Sequence, residues 1–294
     1  MDKRLTNMLL IIGRSLVAVI VCLSFAASLL LWSVSALFQR ESYVSVADKE
    51  AFITALHADV YDYLEDECLF YGIPFEVMDG VVTAKQLRSA VKARMGSVYD
   101  ALCDGGKPES IALDAAPFQT VIQAYFDSLP IEEQPLDTAA AATIAVDFAD
   151  GVSAVMQLGI SEKLIKTAHP LFAENALPRK AVRVLPAALV LTLALALAGL
   201  LPIKTTLRRR AYSVSGALFV GSTLAAVPTW LFVGLDFPAT IALTDSALRE
   251  YVNGVLYTVL DRMTIITTTA FVISAVLLIA SVVWLVTEKT KKTA

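Results

Sequence analysis

Histidine, cysteine and charge are all scarce in this chain. Two histidines and three cysteines among 294 residues leave little material for imidazole or thiolate chemistry. His57 and His169 have no partner at metal-ligand spacing. There is no H-E-x-x-H pair, Gly-x-Ser-x-Gly elbow, phosphate-cradling glycine loop or paired-cysteine site. No catalytic residue, cofactor or metal is expected, and the chain reads as non-enzymatic. Charged residues make up 18% and apolar residues 56%, against about 25% and 45–50% in soluble domains. That balance excludes a disordered protein and argues against an ordinary soluble enzyme. With a net charge of −4, no nucleic-acid partner is expected; the partner implied by composition is a lipid bilayer.

What the chain has in quantity is uninterrupted apolar sequence. Four stretches carry no charge: Ser15 to Phe38, Val184 to Ile203, Ala211 to Leu235 and Met263 to Thr287. Each reaches the roughly 20 residues a helix needs to cross the hydrocarbon. Their backbone polar groups must be paired internally there, which predicts four transmembrane helices. Their cores contain Ser and Thr but no Asp, Glu, His or Lys. This argues against a proton relay or an ion pathway.

The small net charge conceals a separation. Residues 39–180 hold 22 acids and 11 bases, and the rest of the chain 6 acids and 13 bases. The bases outside the acidic segment gather at helix ends: Lys3, Arg4 and Arg14; Lys204, Arg208, Arg209 and Arg210; Lys289, Lys291 and Lys292. Lys and Arg beside membrane helices stay cytoplasmic. The predicted organisation has a cytoplasmic N-terminus and first span over 1–38 and an extracytoplasmic domain over 39–180. A three-helix membrane region follows over 181–294, with a cytoplasmic turn at 204–210, an outer segment at 236–262 and a basic cytoplasmic tail. The localisation read from this is a multi-pass protein of the cell membrane with both termini inside. Arg179, Lys180 and Arg183 oppose the scheme, and Arg183 would have to snorkel to the outer interface.

Helical periodicity runs through the outer segment, which predicts an all-α fold. From Val46 to Tyr71 an apolar face comprises Phe52, Leu56, Val60, Tyr63, Leu64 and Phe70, ending at Gly72. Thr83 and Gln86 form a capping box ahead of Leu87, Val91, Met95, Val98 and Leu102, with Gly105 and Gly106 as the stop. Asp114 opens a third helix ending before Pro130, with Phe118, Val121, Ile122, Tyr125 and Phe126 expected to be buried. Asp137 or Thr138 opens a fourth, running to Gln157. Ser161 opens a fifth, ending before Pro170. Asp245 begins a single long helix to about Thr287. Gly254 inside it costs about 1 kcal/mol.

Three further features carry alternatives. Ser213, Ala217, Gly221 and Ala225 recur every four residues on the third span. Such a stripe permits close helix approach. It serves either packing within the chain's own bundle or association with another membrane protein or a second copy. Cys68 and Cys103 would permit a disulfide in an oxidising compartment. Against the bond, antiparallel helices with a short connector hold these C-terminal positions apart. Asp59, Asp62, Glu65, Asp66 and Glu67 offer carboxylates to a hard cation but lack the glycine turn of a calcium loop and suit a solvated helix face.

Gly72-Ile-Pro-Phe-Glu-Val followed by Val81-Val-Thr-Ala-Lys-Gln-Leu resembles a Gly-Leu-Pro-x-x-Val…Phe-Thr-x-x-Gln pattern. It is found in uncharacterised four-span membrane proteins of Gram-positive bacteria with one extracytoplasmic helical domain. The chain departs from that pattern at Ile73 and Val82. The resemblance covers some fifteen residues and implies architecture, not catalytic residues. The order of spans and outer segments is also similar to FtsX-like and MacB-like permeases, although the short segment before the first span shows no coupling helix. The expected function is an integral membrane protein whose outer domain binds, senses or scaffolds; the alternative is a permease-like subunit of a transport or cell-envelope complex.

Overall fold

The computed structural model describes residues 3–130, 132, 139–200 and 207–293. Among them there are helices and no strands. In chain order they are α1 (Lys3–Val34), α2 (Arg40–Val44), α3 (Glu50–Tyr71), α4 (Ala84–Asp104), α5 (Ala116–Ser128), α6 (Ala140–Met156), α7 (Glu162–Phe172), α8 (Leu177–Leu200), α9 (Leu207–Gly234) and α10 (Ser246–Thr293). Two compact units result. One comprises residues 1–38, 175–237 and 257–294, the other residues 39–174 and 238–256. The boundary at 256/257 falls inside α10, so one helix contributes to both.

Among the described residues three helices are long and apolar enough to cross a membrane: Ser15–Phe38, Leu207–Gly234 and Ser246–Thr287. The expected second span lies on α8, whose first turns carry Arg179, Lys180 and Arg183. The end of that stretch, 201–203, lies outside the described residues, as does Lys204. α1 packs against α8 and α9, with Ala26, Leu29 and Ala225 forming a buried cluster flanked by Phe25, Leu30, Ile266 and Ala270.

The second unit is built on helix stripes. α3 buries Phe52, Leu56, Val60, Leu64 and Cys68. These follow strict four-residue steps, each turning about 40° beyond a full circle. The buried row therefore winds around the helix. By Cys68 it has reached the side opposite Phe70, which is 78% exposed rather than buried as its spacing from Phe52 predicted. Tyr63 is half-buried. The helix begins at Glu50, not Val46, because 45–48 forms a 3-10 turn. It ends where Gly72 adopts left-handed φ of +66° and Ile73 N–H returns to Cys68 O at 2.9 Å.

α4 opens with both halves of the Thr83–Gln86 capping box and ends at left-handed Gly105. All five residues of its predicted stripe are buried. Val98, Ala101 and Leu102 pack with Ile165 of α7. On α5 only Phe118 and Ile122 are fully buried; Val121, Tyr125 and Phe126 are half-buried, because a helix resting mainly on α6 hides a narrow face. Asp114 Oδ1 accepts from Ala116 N–H at 3.0 Å. The caps expected at Asp137 or Thr138 lie outside the described residues. Ser161 caps α7 through Leu164 N–H. That helix runs past Pro170 to Phe172, because a proline in the last turn forfeits only one backbone bond, and Ala173 N–H closes it on His169 O at 2.8 Å.

Candidate functional site

Several chemistry-bearing side chains of the second unit are engaged in local packing or in holding helices. His169 Nδ1 lies 2.8 Å from Leu102 O, with its ring against Gly105, so it closes α7 on the end of α4. His57 stacks on Tyr61 at 4.2 Å between centroids. Of the acidic cluster, Asp62, Glu65 and Asp66 are exposed. Among the described residues no group of His, Cys, Asp or Glu could hold a metal ion. Cys22, Cys68 and Cys103 are free thiols, so the Cys68–Cys103 bond is not formed. Cys68 is 1% exposed, and burial pushes its thiol up to about 11.

Asp59 has a different task. Its Oδ1 accepts from Ser246 Oγ at 2.6 Å and its Oδ2 from Ala247 N–H at 3.1 Å. Asp245 Oδ1 accepts from Leu248 N–H at 2.7 Å. Two carboxylates therefore satisfy the orphan donors at the start of α10, where the helix dipole favours negative charge. Further along, Tyr251 packs on Phe52 at 5.7 Å, and Lys49 Nζ donates to Gly254 O at 2.8 Å. Gly254 also has a steric purpose that its propensity conceals: a Cβ there would lie 2.6 Å from Val46 Cγ1. The first eleven residues of α10 are thus seated on 46–59 by charge, ring and backbone contacts at successive turns.

In the membrane-type unit, α9 divides its small residues between two faces. Ala217, Gly221 and Ala225 are buried toward α1. Cys22 Sγ donates to Ala217 O at 3.1 Å, and a Cβ on Gly221 would lie 2.7 Å from Cys22 O. Ser213 is exposed and bonds its own helix at Arg209 O, so it leaves the predicted stripe. The other face carries a set the four-residue reading misses. Ser215, Ser222 and Thr229 on α9, and Thr267, Ser274 and Ser281 on α10, are all buried and recur at seven-residue intervals.

Ser215 Oγ meets Ser281 Oγ at 2.8 Å, and Ser222 Oγ meets Ser274 Oγ at 2.6 Å. The residue numbers of each bonded pair share one sum, the signature of two antiparallel helices in fixed register, and Thr229 with Thr267 continues it. A seven-residue repeat matches 3.5 residues per turn, the period of left-handed helix pairs. Trp230 Nε1 donates to Thr268 Oγ1 at 3.0 Å, and the Arg208 guanidinium lies 5.2 Å from the Trp284 ring centre. The signal was present in the sequence as hydroxyls every seven residues, in mirrored order on two spans.

Comparison with protein-family profiles, curated proteins and solved structures finds no match to this chain.

Proposed function

We propose that the chain is a multi-pass cell-membrane protein with four transmembrane helices and both termini cytoplasmic. Its unit of residues 39–174 and 238–256 lies outside and acts by binding, sensing or scaffolding rather than by catalysis. The observation that carries this reading is α10. It is one unbroken helix from Ser246 to Thr293, whose first turns belong to the polar helical unit and whose remainder is an apolar membrane-type helix. A ligand or partner that displaces the Asp59, Phe52 or Lys49 contacts changes what holds the outer end of a spanning helix. The engagement of His57, His169 and Asp59 in packing and capping supports a non-enzymatic role.

The fourth span is assigned to α8 from its uncharged stretch. The side of the membrane is assigned from the basic clusters, of which Arg208, Arg209 and Arg210 form the first turn of α9. Labelling tests both. In a background with Cys22, Cys68 and Cys103 replaced by alanine, Glu65→Cys should react with a membrane-impermeant maleimide on intact cells. Arg209→Cys should react only after permeabilisation. The reverse pattern overturns the orientation, and recovery of the chain in the carbonate-soluble fraction overturns membrane integration.

A further inference from the structure

Arg94 sits midway along α4 and is 4% exposed. Its partners are backbone carbonyls: Nη1 donates to Glu109 O at 2.5 Å and Nη2 to Ile160 O at 3.3 Å. Its Nε is buried with no hydrogen-bond partner. A guanidinium that stays charged at all ordinary pH is thus held on backbone carbonyls, and no carboxylate among the described residues pairs with it. Buried charges in proteins are ordinarily paired.

Beside it lies a groove of about 180 Å³. α4 supplies one wall through Ala90, Ala93 and Arg94, and the non-helical segment Glu109, Ser110, Ile111 and Ala112 supplies the other. The alanines leave this space open. At about 30 Å³ per water-sized volume, it holds a group of roughly half a dozen heavy atoms. Its lining is mainly apolar, Arg94 is the one cation among its lining residues, and Glu109 is exposed beside it. A second negative charge on a ligand would be opposed by that carboxylate. A single planar carboxylate fits a guanidinium fork, with a short apolar tail against Ala90, Ala93 and Ile111.

We propose that this groove binds a small monocarboxylate, with Arg94 as its counter-ion and the alanine wall selecting a short aliphatic tail. This gives a ligand class to the binding domain proposed above and rests on that reading for its biological setting. Binding itself is measured on the purified chain, so its failure leaves the topology labelling untouched, and the converse also holds. The carboxylate has two sources, a free organic acid or the C-terminus of a peptide.

The test uses the full chain in lipid nanodiscs, with sodium butyrate, sodium sulfate at equal ionic strength, trialanine and trialanine amide as probes. Thermal midpoints and tyrosine-region NMR shifts are read. Butyrate should raise the midpoint with a saturable, millimolar dependence, and sulfate should not. Ala93→Leu, at an exposed helical position, should fill the groove and weaken butyrate at least tenfold while folding normally. Arg94→Lys should keep the charge, lose the fork and weaken it about tenfold. Trialanine binding with its amide inert points to a chain terminus as the source; butyrate alone binding points to a free acid. Equal effects of butyrate and sulfate, an unchanged response in Ala93→Leu, or equal binding of the acid and amide peptides overturns the proposal.

Discussion

Replacing Gly221 by alanine should destabilise the membrane-type unit, while the same replacement at Gly216, five residues earlier on α9, should not. An ideal Cβ at Gly221 lies 2.7 Å from Cys22 O, 3.2 Å from Cys22 Cα and 3.3 Å from Phe25 Cδ1. The two nearest atoms are backbone and cannot rotate away. Restoring ordinary contact at 3.4 Å requires α1 and α9 to part by about 0.7 Å. A gap of that size forfeits about a quarter to a half of each dispersion contact across the seam, including those of Ala26, Leu29 and Ala225. Overpacking of this kind costs about 1–3 kcal/mol. Alanine's helix propensity returns about 1 kcal/mol, leaving a net loss of about 0–2 kcal/mol.

At Gly216 a Cβ meets nothing within 4 Å, so the propensity term stands alone and the variant should be neutral or up to about 1 kcal/mol more stable. The difference between the two variants is therefore about 2 kcal/mol, roughly thirtyfold in the unfolding equilibrium. Unfolding in mixed micelles, followed by fluorescence of Trp32, Trp230 and Trp284, measures it. A Gly221→Ala protein as stable as Gly216→Ala would refute the close approach of α1 and α9.

Three further outcomes follow from the same geometry. Ser222→Ala and Ser274→Ala should each cost about 0.6 kcal/mol and at most about 1.7, because the surviving hydroxyl keeps its own backbone acceptor at Phe219 O or Phe271 O; a double-mutant cycle with no coupling would remove the interhelical bond. Asp59→Ala should cost about 1–2 kcal/mol and accelerate hydrogen exchange at Ala247, with Asp59→Asn intermediate; unchanged exchange would show that Asp245 alone caps α10. Cys68 should resist iodoacetamide at pH 8 until the chain is denatured. Its folded thiol is raised from 9.0 to about 11, so its contribution to stability is complete below about pH 9 and lost as pH rises through 11. Rapid labelling of native Cys68 would contradict its burial.

Most of the helical architecture could be read because its signals are local. The capping box at Thr83, the stop at Gly105, the cap at Asp245 and the absence of a breaker at Asp261 each depend on a few neighbouring residues, and each appears where the spacing placed it. The errors arose where a neighbour decides. Phe70 shares a 3.6-residue face with Phe52, yet the helices packed on α3 follow a four-residue ridge and leave it in solvent. Pro170 reads as a stop, but the last turn of α7 tolerates it. Ser213 belongs to the four-residue stripe by number and not by contact.

The sequence by itself determined that this chain has long uncharged helices, a polar helical segment between them and a charge separation that implies an orientation. Composition and periodicity suffice there, because the hydrocarbon demands internally bonded backbone and the segment boundaries are written in charge. Only the tertiary structure decided which face of α9 meets α1 and which meets α10. Only it showed that Asp59 caps a helix almost two hundred residues away, and that Arg94 is buried on backbone carbonyls beside an open groove. Those properties belong to pairs of residues distant in the chain, and no local pattern specifies which distant groups folding will bring together.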